Sequence, residues 1–99
     1  MIRWSKRARG DLVCIGLYTA RDKPVAARRW TERLHAHAEL AAEMPLAGRV
    51  VPSFGRNDIR EVFLRSYRIV YRVTGYGIFV LTVFDGHKRM QDIDPDTED

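Results

Sequence analysis

Four side chains late in the sequence could do chemistry together: Arg68, Arg72, His87 and Lys88. RNA cleavage through a 2′-hydroxyl needs a base, an acid and a cation for the charge that builds on phosphorus. Histidine titrates in the range such a base or acid requires, and a guanidinium can clamp phosphate with two parallel bonds. As an acid–base site the set is incomplete in proton donors. An Asp85–His87 contact in a solvated turn accounts for the histidine equally well. No residue is assigned a catalytic role outside that nuclease reading. Used for binding, the same region offers Arg60, Arg68 and Arg72, with His87, Lys88 and Arg89 beside them. Arg68 and Arg72 are four apart in one strand pattern and so point the same way, with Val70 between them. That is the geometry of a shallow basic surface. A sheet face charged to prevent aggregation is the plainer explanation.

Other chemistries are poorly provided for. His35 and His37 lie two apart on a helix, about 200° around it, and cannot chelate one ion. No Cys/His/Asp cluster has ligand spacing, so neither a metal nor a cofactor is expected. Glycine-rich phosphate loops and Ser/His/Asp orders are also missing.

Periodicity supplies the scaffold for these side chains. Met1 to Trp4 is a short strand candidate, and Ser5 offers an N-cap. Ala8, Leu12, Ile15 and Tyr18 or Thr19 then repeat at helical spacing. Val13, Leu17 and Ala20 form a second apolar stripe, which predicts a helix covered on two sides. Gly16 costs that helix about 1 kcal/mol relative to alanine and permits close packing. After Arg21-Asp22-Lys23, with Asp22 or Lys23 as N-cap, Pro24 opens a second helix. Its core stripe is Ala27, Trp30, Leu34, Ala38 and Ala41, and Pro45 ends it. So short a turn predicts an antiparallel helical hairpin. Arg49-Val50-Val51 is a strand cut short by Pro52. Ile59 to Leu64, Tyr67 to Val73 and Ile78 to Phe84 are the main strands, linked at Ser66 and by the glycine-bearing turn 74–77. In the middle one, Tyr67, Ile69, Tyr71 and Val73 share one face, and Arg68, Val70 and Arg72 the other. The predicted fold class is α+β: a short N-terminal strand and a helical hairpin packed on one face of a small, mainly antiparallel sheet.

Ninety-nine residues, 45% apolar and 30% charged, suit one soluble globular domain. No run is long and apolar enough to span a bilayer, and no signal peptide is seen. A single cysteine, Cys14, excludes an internal disulfide and fits a reducing cytoplasm; its apolar surroundings predict a buried, inert thiol. The net charge of +4 conceals an asymmetry. Residues 1–90 hold all 17 Lys and Arg and 8 of the 13 acids, for +9, whereas residues 91–99 carry −5. The expected organisation is one domain over 1–90 and an acidic tail over 91–99. A body that basic seeks polyanions. The tail is either a frayed terminus or a weak internal competitor folded over the basic face.

Several local phrases, in order, resemble the RelE/ParE superfamily of type II toxin–antitoxin toxins over about residues 2–90. They are Trp4-Ser5 with Ala8 and Asp11-Leu12; Pro24 with Ala26-Ala27; Pro45-Leu46-Ala47-Gly48-Arg49-Val50-Val51-Pro52; Ile59-Arg60-Glu61; Tyr67-Arg68-Ile69-Val70-Tyr71-Arg72-Val73; and Val83-Phe84-Asp85-Gly86-His87-Lys88. The last is similar to the acidic-Gly-His-Arg ending of the ParE branch, with Asp85 as the acid and lysine in the final place. That resemblance implies a cytoplasmic inhibitor of DNA gyrase without chemistry of its own, which stabilises the gyrase–DNA cleavage state. It also implies neutralisation by a cognate ParD-like antitoxin, an acidic partner with a ribbon-helix-helix part and a C-terminal segment that wraps the toxin. The contacts expected are Val13 and Leu17 on the outer helical stripe, then Arg60, Arg68, Arg72, His87, Lys88 and Arg89. The alternative within the superfamily is a RelE-like, ribosome-dependent mRNA interferase using Arg68, Arg72, His87 and Lys88. Its C-terminal tyrosine has no counterpart after Tyr76, and Glu61 stands where a nuclease would profit from a second cation. A plain nucleic-acid-binding domain is a third possibility, but the strands lack paired surface aromatics.

Overall fold

The computed structural model describes residues 1–99. Strand β1 (Ile2–Trp4) leads into helix α1 (Lys6–Ala20), then α2 (Pro24–Glu43). Strands β2 (Arg49–Val50), β3 (Ile59–Leu64), β4 (Tyr67–Thr74) and β5 (Gly77–Asp85) come next, with 3-10 turns at Pro45–Ala47 and Pro52–Phe54. The five strands form one sheet in the order β1-β5-β4-β3-β2, antiparallel except where β1 runs parallel to β5. The α+β architecture and all the expected elements are present.

Local chemistry explains the boundaries. Ser5 Oγ accepts from the Ala8 N–H at 2.9 Å and donates to the Leu81 carbonyl at 2.9 Å, so one buried hydroxyl caps α1 and ties it to β5. Pro24 occupies the first turn of α2 behind Lys23, and Met44 closes it ahead of Pro45. The sheet face under the helices carries Ile69, Tyr71, Ile78, Val80 and Val83, packed against Ala8, Leu34, Ala38 and Ala41. Each fully buried branched side chain there stabilises the fold by about 1.5–3 kcal/mol. Gly16 sets α1 close to α2, where a Cβ would lie 3.3 Å from Thr31 Cγ2. Between β4 and β5 the register slips by one residue near Val70/Tyr71. Asp11 fills that irregularity from α1: its Oδ2 accepts from Thr82 Oγ1 at 2.6 Å and from the Val83 N–H at 3.0 Å.

Two expectations for α1 need correction. Val13 and Leu17 are 61% and 66% exposed, so the second stripe is uncovered by this chain. The helix is an outer layer, touching the sheet along Ala8, Leu12 and Ile15 and α2 along one flank; the opposite side meets solvent. Cys14 is exposed rather than buried, because it lies about 130° around the helix from the sheet-facing line.

Gly48 and Tyr71 lock the end of α2 to the sheet. Tyr71 Oη donates to the Pro45 carbonyl at 2.7 Å. A Cβ on Gly48 would run into that hydroxyl and approach the Glu61 carbonyl oxygen to 3.0 Å. Gly48→Ala is therefore expected to destabilise the domain by about 2–3 kcal/mol, read as a lower denaturation midpoint with an unchanged slope. Burial raises the pKa of Tyr71, and burial together with Asp85 raises that of Tyr67. The folded state thus holds both phenolic protons more tightly than the unfolded chain, whose tyrosines titrate near 10. Stability from this source is complete below about pH 10 and falls as pH rises beyond it. Thermal melts across that range, followed with phenolate absorbance, check the direction.

Candidate functional site

The β3–β4 register decides where the arginines point. Residues paired across antiparallel strands share a face. Arg60 is opposite Tyr71, on the helix-covered side, whereas Arg68 is opposite Phe63 and Arg72 opposite Ile59, on the other. The expected common patch of Arg60, Arg68 and Arg72 is therefore divided. Arg60 donates to the main-chain oxygens of Leu46, Gly48 and Asn57 at 2.9–3.0 Å and to Asn57 Oδ1 at 2.8 Å, stapling two loops. Its role is to satisfy carbonyls left by a sheet edge that ends early.

Arg68 and Arg72 share a face as expected, yet neither is open. Glu61 lies beside Arg68 with a side chain 0% exposed. Its Oε1 accepts from Arg68 Nε at 2.6 Å, while Oε2 accepts from Arg49 Nε at 3.0 Å. A carboxylate taken out of water requires such partners, and Arg68 supplies the nearer one. The guanidinium also lies 4.9 Å from the Phe84 ring centroid. Gly86 lets the following turn close over the Arg68 stem, since a Cβ there would come within 3.2 Å of Cγ and Cδ.

Arg72 is covered by the tail. Its Nη1 donates to the main-chain oxygens of Pro95 at 2.7 Å and Thr97 at 3.0 Å, and Nη2 reaches Glu98 Oε1 at 3.4 Å. The plane of the same group sits 5.0 Å from the Phe79 centroid, and the side chain is only 11% exposed. Arg56, which composition gave no reason to single out, joins the system. It pairs with Asp58 through Nε and Nη2 at 3.0 and 2.9 Å and with Asp96 through Nη1 at 2.8 Å. Those hydrogen bonds raise the pKa of Arg56 and hold the Asp58 carboxyl below its usual range. Its one sequence signal was Asp58 two residues on.

The Asp85–Lys88 turn is the exposed part of the set. The His87 N–H and Nδ1 both lie 3.0 Å from Asp85 Oδ1, and His87 is 81% exposed. The main-chain hydrogen bond is the main cause of the lowered pKa of Asp85. Lys88 and Arg89 are exposed and form no ion pair. Arg68, Arg72 and His87 are thus each held by a different group. Besides Lys88 and Arg89, what remains open is the Val13–Leu17 stripe of α1, which lines a shallow groove with Leu12, Gly16, Thr31, Glu32 and His35.

Comparison with known proteins bears on the family and the fold. The model of the ParE toxin of type II toxin–antitoxin systems, parDE, matches residues 2–90. A relative in Sinorhizobium fredii, "Putative toxin Y4kP", is 36% identical over 91 residues, covering 89% of this chain and 90% of its own length. Among solved structures, a chain from the "Chromosomal ParDE TA system from P. aeruginosa" superposes with a TM-score of 0.70 at 20% identity. That likeness covers 83% of this chain and 90% of the other, and supports the fold. No helix is long and apolar enough to cross a membrane. From the family match over residues 2–90 and the shared sheet-and-hairpin fold, the chain belongs to the ParE toxins of type II toxin–antitoxin systems.

Proposed function

We propose that this toxin acts in the cytoplasm as a binding inhibitor of DNA gyrase, with no chemistry of its own, and that a cognate ParD-like antitoxin silences it. One observation carries the reading: Arg68, the arginine a nuclease would need most for phosphate, is committed to the fully buried Glu61 of the neighbouring strand. His87 is left on an exposed turn with Asp85 as its partner. Acid–base cleavage would need these groups free and convergent on one phosphorus. Membership in the ParE branch favours gyrase over the ribosome.

The open stripe on α1 supports the antitoxin part. An amphipathic segment laying its apolar face on Val13 and Leu17 would use the helix-in-groove mode. Segments that fold on binding cover surfaces of this kind. The deciding experiment places purified toxin in a gyrase supercoiling reaction and, separately, in ribosome-dependent translation with a labelled message. Blocked supercoiling with an intact message is the expected result. Uninhibited gyrase with a cleaved message assigns the chain to the mRNA interferase alternative instead.

A further inference from the structure

The matched family region ends at residue 90, and residues 91–99 lie beyond it. They form no helix or strand, yet they cross the sheet face away from the helices. That face has an apolar floor of Val51, Ile59, Val70, Phe79 and Leu81, on which Met90 and Ile93 rest. Around the floor stand three cations that receive the tail. Arg72 takes the Pro95 and Thr97 oxygens, Arg56 takes Asp96, and Arg7 donates to Gln91 Oε1 at 2.7 Å. At the far end the Lys6 N–H donates to the main-chain oxygen of Asp99.

The manner of attachment matters as much as its extent. A single main-chain hydrogen bond joins the tail to the body, that from Lys6, and no ladder forms. The acids that meet Arg56 and Arg72 are themselves 69% and 84% exposed. Exposed charge pairs are weak and screened by salt, and segments without a ladder open before the core does. The floor and its cations nevertheless fit an extended acidic segment with one apolar anchor, and the tail is such a segment.

We propose that residues 91–99 are a detachable strap occupying a second peptide-binding face, and that the class of ligand which displaces it is an acidic extended peptide with a single branched apolar anchor. Arg72, Arg56 and the apolar floor are the receiving groups. Tethering gives the strap an effective concentration in the millimolar range, so a free peptide competes only when the strap is loosened or the peptide is better matched. This inference does not depend on the identity of the toxin's target.

Two measurements on the full chain test it. In the first, amide exchange at Lys6 is compared with that at Ala8, in the first turn of the same helix and capped by Ser5. Raising salt from 0.1 to 1 M shortens the screening length from about 10 to about 3 Å. Exchange at Lys6 should accelerate at least about 10-fold while Ala8 stays protected. In the second, a synthetic peptide with the sequence of residues 90–99 is titrated onto the unsubstituted chain and onto the Ile93→Ser/Asp96→Asn variant. It should bind the variant at least about 10-fold more tightly, with the Arg72 Nε resonance shifting. Salt-insensitive protection at Lys6 overturns the proposal. So does peptide binding that is equal in the two chains, or absent from both. The salt series uses the native sequence and stands even if the variant misfolds.

Discussion

Arg68→Ala is expected to destabilise the domain by about 3 kcal/mol and to lower Tm by roughly 12–24 °C. Glu61 is fully buried, and Arg68 donates to it at 2.6 Å. Removing the arginine leaves a carboxylate in the sheet with only the largely exposed Arg49 as partner. The packing of the Arg68 stem between Phe84 and Gly86 goes with it. The deeper reason is asymmetry: breaking one half of a buried ion pair is far worse than replacing both halves by apolar groups. The double substitution Arg68→Met/Glu61→Leu should therefore recover most of the lost stability. A catalytic Arg68 would behave in the opposite way, losing activity in a protein that melts normally. Differential scanning calorimetry of the two single variants and the double variant separates these outcomes.

The second large effect is expected on binding. Val13→Glu/Leu17→Glu should weaken antitoxin affinity at least about 100-fold while leaving thermal stability within about 0.5 kcal/mol. Both side chains face solvent in the free toxin, so their replacement removes no internal contact of note. In a complex they would be the apolar anchors of the hairpin, and carboxylates there would also repel an acidic partner. Titration calorimetry with purified antitoxin gives the affinity. A variant that melts early, or that binds as tightly as before, removes the stripe from the antitoxin interface.

Most of the fold was legible because its signals are local. The spacing of Ala27, Trp30, Leu34, Ala38 and Ala41 gave α2, and the alternation from Tyr67 to Val73 gave both faces of β4. Ser5 and Pro24 marked helix starts through capping chemistry that needs no tertiary information. The site was less legible, since long-range pairing decided it. Alternation places Arg68 and Arg72 together but is silent on Arg60, whose face is set by its register against Tyr71. Nor does a charge count say which carboxylate meets which guanidinium: Glu61, seven residues before Arg68, was buried beside it, and tail oxygens closed on Arg72. Cys14 and the Val13–Leu17 stripe depart from the sequence expectation for one reason. An apolar helix in sequence says how much surface wants cover, and only packing says whether this chain provides it. Asp11 belongs to the phrase Asp11-Leu12, but its role is not legible there, because its partners exist only where the β4–β5 register slips.

The most direct test concerns His87, the exposed imidazole of the cluster. The His87→Ala variant should be compared with the parent in the gyrase supercoiling assay, after confirming that both melt alike. A toxin that works by surface contact alone should keep its half-inhibitory concentration within about 10-fold. Gyrase left uninhibited by the parent, with a labelled message cleaved by the parent and spared by the folded His87→Ala variant, would contradict it.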